Sequence, residues 1–221
     1  MSGSTALPKR TLWDISQVIS ESSEGFPGDA PLRISWDVLA TAEGGANVSH
    51  FSMSPHLGTH LDAPKHLDAQ ADDVSQIPLA NLLGPCVVLF VEPYESNPRP
   101  ITREELDVLK DFPGIARVLL KTRTVLPTYW SAAYRSVSAD ALAWLCERGI
   151  TLLGLDTPGL DPAEDETLAG HHQLLEAGVY LLENLNLTSI SEDGIYHLCA
   201  LPLSIQGLEA SPVRAILWRD A

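Results

Sequence analysis

Residues 52–68 read SMSPHLGTHLDAPKHLD, placing three of the chain's seven histidines beside two aspartates. The candidate ligands in this stretch are His56, His60, Asp62 and His66. Neutral imidazoles with a hard carboxylate oxygen suit a divalent cation such as Zn2+, Mn2+ or Fe2+. Two backbone geometries would gather them. On a helix, His56 and His60 share a face as i and i+4, but Asp62 turns away. In an extended segment His56, Gly58, His60 and Asp62 all point the same way. Pro55, Gly58 and Pro64 argue against a long regular element, so the spacing puts the cluster on an irregular loop after a strand over 48–54. Gly58 and Ala63 are small enough to let backbone crowd close to a metal or substrate. A merely solvated histidine loop is the competing reading, and four ligating groups at this density weigh against it.

Outward from this stretch, short apolar β-branched runs alternate with turn residues. Strands are expected over 11–16, 33–38, 48–54, 86–92, 117–122, 151–156, 179–185, 196–205 and 212–218. Helices are expected over 102–111, where Thr102 and Glu105 form a capping-box pattern, over 138–149 between Ser138 and Gly149, and over 166–178 up to Gly178. The order strand, helix, strand across 117–156 is a β-α-β unit. It is followed by the polar loop DTPGLDPAED, at a place where α/β proteins commonly bind ligands. The pattern is strand-rich α/β with two or three helices. No linker divides it, so residues 1–221 read as a single domain behind a flexible leader over 1–10.

Within the apolar run LLENL, Glu183 is an ionisable group that must either reach an exposed strand end or meet a cation, since burying it unpaired is costly. His171 and His172 are adjacent and point apart, so at most one joins a shared site. His50 reads as a packed or edge histidine. Arg117, Lys121 and Arg123 read as a solvated strand edge, with contact between one of them and a substrate carboxylate as the alternative. Tyr129 and Trp130 are pocket-lining candidates.

Of the 221 residues, 45% are hydrophobic and 19% charged, which is enough apolar content to bury a core. Fourteen basic against 29 acidic residues give a net charge of −15, which argues against nucleic acid or anionic membrane as partners. The longest apolar runs are too short to span a bilayer, and the N-terminus has no secretory apolar stretch. The three cysteines are widely spaced and odd in number. They read as core residues of a reduced, cytoplasmic protein.

HLGTHLDAPKH resembles the H-x-G-T-H-x-D-x-P-x-H signature of the cyclase-like metal-dependent hydrolases, a group that includes bacterial kynurenine formamidases and isatin hydrolases. WDIS (13–16), FPGD (26–29), IPLANLLGPCVVL (77–89), GLDTPGLDP (154–162), the HH pair with a Glu twelve residues after its first member, and ALPL…GLEASPVRAIL (200–217) extend the resemblance over nearly the whole chain. It implies a swivelling β/β/α fold assembled as a homodimer or larger homo-oligomer. It also implies a pair of divalent ions per subunit, Zn2+ first and Mn2+ second. His56, His60 and Asp62 would hold one metal, Asp62 would bridge to a second bound by His171, and Glu183 would contact both. His66 would be the catalytic acid/base, His172 at most a supporting residue, and Phe26 a wall of the substrate pocket. The implied reaction is hydrolysis of N-formyl-L-kynurenine to L-kynurenine and formate by a metal-activated water. Opening of an isatin-like or other cyclic amide or lactone is the alternative, and a non-catalytic metal-binding scaffold is the third reading. HLGTH in place of the formamidases' HTGAH, and LLENL in place of their LEG, leave the substrate open.

Overall fold

A computed structural model of the chain describes residues 10–41 and 44–220. Its strands are β1 (Arg10–Asp14), β2 (Arg33–Val38), β3 (Val48–Ser52), β4 (His60–Asp62), β5 (Leu83–Phe90), β6 (Arg117–Lys121), β7 (Leu152–Leu155), β8 (Tyr180–Glu183), β9 (Gly194–Cys199), β10 (Ala210–Pro212) and β11 (Ile216–Asp220), with helices α1 (Ala139–Glu147) and α2 (Ala169–Glu176). Nine strands form one mixed sheet in the order β1-β11-β9-β5-β6-β7-β8-β4-β10, and β2 and β3 pair as a separate ribbon. This is the strand-rich α/β architecture expected from the pattern.

The central strands β5, β6, β7 and β8 run parallel. Both faces of a parallel sheet are covered, so its strands read as continuous apolar runs rather than alternating ones. In β5, Cys86 and Val88 enter one core with Leu61, Leu182 and Leu198, while Val87 and Leu89 enter the other with Leu142, Leu145 and Leu174 of the helices. Helix α1 is the crossover between parallel β6 and β7, as the β-α-β order requires. Both helices stop at glycines with left-handed backbone, Gly149 and Gly178.

Several boundaries differ from expectation. Residues 1–9 of the expected leader lie outside the described residues, but Arg10 is the first residue of β1, paired with Asp220. The strand expected over 179–185 ends at Glu183 because Asn184 turns left-handed at φ 55°. The strand over 196–205 stops at Cys199, ahead of Pro202, and 212–218 splits between β10 and β11.

The segment expected as a helix over 102–111 is 3₁₀ over Glu104–Asp111. Only half of its capping box forms: the Thr102 N–H donates to Glu105 Oε2 at 3.0 Å. Both Glu105 oxygens also accept from buried Arg135 at 2.7 Å. Arg117 and Lys121 lie in the central sheet rather than on a solvated edge. The Arg117 guanidinium donates to the carbonyls of Asn81, Ala80 and Pro85, and Lys121 to that of Ile190.

The main correction concerns the histidine stretch itself. His60–Asp62 is not irregular loop but a buried strand, β4, held antiparallel between β8 and β10. Thr59 ties its start in place, donating to the Asn184 carbonyl at 2.7 Å and accepting from the Gln17 N–H at 2.9 Å. Gly58 is required by its own conformation: its φ is +72°, and a Cβ there would come 2.7 Å from Ile19. Ala63 packs into the core.

Candidate active site

The pairing of β4 with β8 sets His60 directly opposite Glu183, and opposed residues share a face. Asp62, two residues on from His60, shares it as well. Helix α2 packs against β8 and delivers His171. His56 comes from the loop before β4, and His66 from the single 3₁₀ turn Pro64–His66 after it.

The polar atoms converge at spacings that hydrogen bonds do not explain. His60 Nε2 lies 3.5 Å from Asp62 Oδ1 and 3.4 Å from Glu183 Oε2. His171 Nε2 lies 3.4 Å from Glu183 Oε1 and 3.9 Å from Asp62 Oδ2, and His56 Nδ1 is 3.2 Å from Asp62 Oδ1. His60 Nε2, both Asp62 oxygens and Glu183 Oε1 are buried with no hydrogen-bond partner. Such orphans are rare and ask for an explanation. Donor atoms bound to one cation at about 2.1 Å sit about 3.4 Å apart, so the donor set fits a divalent metal. Two groups, His60–Asp62–Glu183 and His56–Asp62–His66, each offer ligand atoms within 4.8 Å of one another, with Asp62 common to both. His66 stands beside His56 and His171, with ring centroids 4.6 and 5.9 Å apart.

Supporting bonds aim the imidazoles. His60 Nδ1 donates to the Gly58 carbonyl at 2.9 Å, and His171 Nδ1 meets Asp161 Oδ2 at 2.6 Å. Each leaves Nε2 facing the cluster, the arrangement that fixes the tautomer of a metal-binding histidine. Asp161 also accepts from the Gly170 and His171 N–H groups. Burial disfavours charge on His60, but the carboxylates of Glu183 and Asp62 beside it outweigh this and hold its pKa up at about 9. His171 is pushed up to about 10 in the same way, burial being overcome by Asp161 and Glu183. Burial alone would raise the Asp62 carboxyl, yet His56, His60 and His66 together bring it below the usual range. His66 goes the other way: burial, reinforced by His56 and His171, lowers it.

These groups line a cavity of about 760 Å3, a size typical of small-molecule sites. Phe26 and Trp130 meet edge to face on its wall at 5.5 Å, and Tyr129 lines it too. The loop after β7 contributes Asp156, Gly159 and Asp161, as its place beyond a parallel strand suggested. His172 does not take part; it is exposed and pairs with Glu176 at 3.3 Å. His50 is exposed on the ribbon beside Asp37.

The Cyclase family model matches residues 13–162. This chain belongs to the Cyclase family. It is 39% identical over 209 residues to the kynurenine formamidase of Bordetella petrii, covering 94% of this chain and 98% of that one. Among solved structures, a potential metal-dependent hydrolase with cyclase activity is 27% identical with a TM-score of 0.78, covering 96% and 99% of the two chains. Isatin hydrolase A from Labrenzia aggregata shares the fold, with a TM-score of 0.80 at 24% identity over 96% and 94% of the chains.

The structure therefore brings the motif's candidate ligands and acid/base, His56, His60, Asp62 and His66, together with His171 and Glu183 in one cavity. Glu183 is buried, which removes the exposed-strand-end reading. Sequence reading passed over Asp161, and also Glu209, which lies 3.6 Å from His56 Nε2. Asp161 lies in the GLDTPGLDP stretch and Glu209 in GLEASPVRAIL, both within the resemblance, which is the signal that could have found them.

Proposed function

We propose that this chain is a divalent-metal-dependent amide hydrolase acting on an N-formylated aromatic amine, N-formyl-L-kynurenine, to give formate and L-kynurenine. One observation carries the metal dependence: three buried side chains, His60, Asp62 and Glu183, aim partnerless atoms at one another on the wall of a substrate-sized cavity, with His171 Nε2 3.4 Å from Glu183 Oε1. The formamidase assignment is supported by near-full-length similarity to a kynurenine formamidase.

In this reading His56, His60 and Asp62 would hold one ion, His171 with Asp62 would hold a second, and Glu183 would serve both. Zn2+ is the first choice for a histidine and carboxylate set, and Mn2+ the second. When bound, such an ion polarises a carbonyl and brings the pKa of water toward neutrality. Burial keeps His66 neutral near pH 7, so its ring can accept a proton from the attacking water and return it to the departing arylamine nitrogen. Phe26 and Trp130 wall the cavity against the aryl ring.

The protein acts as one domain over 1–221, in the cytoplasm, consistent with its unpaired cysteines. Among the described residues no helix is long and apolar enough to cross a membrane. We propose a homodimer, because one face of the β2–β3 ribbon exposes Ile34, Trp36 and Phe51, and an isolated two-stranded ribbon is marginal in water.

The deciding experiment is turnover of N-formyl-L-kynurenine by Zn2+- or Mn2+-loaded protein against a chelated sample. Chelator-sensitive release of kynurenine and formate supports the assignment. Turnover of isatin to a single ring-opened product instead would replace it with the cyclic-amide reading. Bound metal without turnover of any amide, lactam or lactone would favour the scaffold.

A further inference from the structure

Arg123, just past the end of β6, is the only Lys or Arg among the described residues lining the cavity. The same wall carries many carboxylates, Asp29, Asp156, Asp165 and Glu166 among them. The other cations near this end of the sheet are engaged, Lys121 by the Ile190 carbonyl and Arg135 by Glu105. The Arg123 guanidinium makes a single long bond, to the Ala133 carbonyl at 3.4 Å. Its backbone N–H, not its side chain, meets Asp156 at 2.9 Å. Burial disfavours its charge, with Asp156 opposing, and no carboxylate lies within ion-pair distance among the described residues. A half-buried, fork-shaped cation with nearly all its donors free is built for a planar anion.

Its position relative to the cluster follows from Tyr134. The Tyr134 hydroxyl donates to the Asp161 carbonyl at 3.0 Å. A Cβ on Gly159 would lie 3.2 Å from that hydroxyl and 4.0 Å from Glu183 Oε1. Tyr134 thus stands beside the His/Asp/Glu cluster, lines the same cavity as Arg123, and follows Ala133, whose carbonyl the guanidinium reaches.

We propose that Arg123 binds the carboxylate of the substrate through its guanidinium, so that the site selects an amide carrying an acid group at its far end. The proposal rests on the formamidase reading for the amide end. N-formyl-L-kynurenine carries such an acid on its α-amino-acid tail, whereas isatin carries none, so the residue separates the two substrate classes.

The test compares metal-loaded wild type, Arg123→Gln and Arg123→Lys, with melting curves to show that each is folded. Calorimetry measures binding of L-kynurenine and of kynuramine, the same arylamine ketone with its tail amine but without the acid. Turnover compares the N-formyl derivatives of both. Wild type should prefer the acid by on the order of 10- to 100-fold, the range for hydrogen bonds to a charged partner. Arg123→Gln should abolish that preference through KM, and Arg123→Lys, keeping charge but not the fork, should recover part of it. A preference that survives Arg123→Gln overturns the proposal even if N-formyl-L-kynurenine is a good substrate. Conversely, Arg123-dependent affinity for L-kynurenine without turnover of its formyl derivative would uphold the carboxylate site and reject the formamidase assignment.

Discussion

His171 takes its orientation from Asp161, a residue of the GLDTPGLDP stretch. Asp161 Oδ2 holds its Nδ1 at 2.6 Å, while the Gly170 N–H holds Asp161 Oδ1 at 2.7 Å. Asp161→Asn should therefore weaken metal binding by roughly 10- to 100-fold, read by competition with a chromogenic chelator, without unfolding the protein. An unchanged affinity would show that Asp161 only braces the loop. His66 and Asp62 should separate in the same assay. His66→Ala should bind metal but lose activity by about 100-fold or more, whereas Asp62→Ala should lose both. If His66→Ala comes out of elemental analysis free of metal, the ring is a ligand and not the proton carrier. The ligand types and their spacing could be read from the chain because side chains at His60 and Asp62 share a face in any extended segment. Asp161 could not, because its contact depends on how α2 docks against the loop after β7.

At the level of elements, β4 and the 3₁₀ segment show where local signals end. Proline and glycine on both sides of His60–Asp62 describe a loop, and the strand exists because β8 and β10 supply its ladder. The capping-box pattern at Thr102 describes a helix, yet the Glu105 carboxylate is drawn to Arg135, some 30 residues on. That guanidinium is fully buried and also meets the carbonyls of Glu92, Arg99 and Pro100. Arg135→Ala would leave these acceptors and a partly buried carboxylate without their donor. It should cost about 3–5 kcal/mol of stability in urea denaturation. A loss below about 1 kcal/mol, the scale of an exposed pair, would contradict this role. Helices α1 and α2 were legible throughout, since apolar spacing and a terminal glycine are local properties.

For the whole molecule, the same site ties stability to pH and to metal. His60 and His171 hold protons more tightly folded than unfolded, so their stabilisation is complete below about 6.5 and is lost as pH rises through about 9 and about 10. Metal-free protein should melt at progressively lower temperature from pH 6.5 to 9. Saturating Zn2+ should flatten or reverse that slope, because the ion needs neutral imidazoles. Parallel slopes in both samples would mean that the two histidines do not face the ion. The ribbon has its own consequence at this scale: Trp36→Glu should shift a dimer to monomer in sedimentation, and an unchanged mass would exclude the ribbon as the interface. The most direct measurement of all is anomalous diffraction from crystals grown with Zn2+. Peaks about 2.0–2.2 Å from His60 Nε2, Asp62, Glu183 and His171 Nε2 are expected. An ordered cluster with no anomalous peak, or a peak bound elsewhere, would contradict the metal centre.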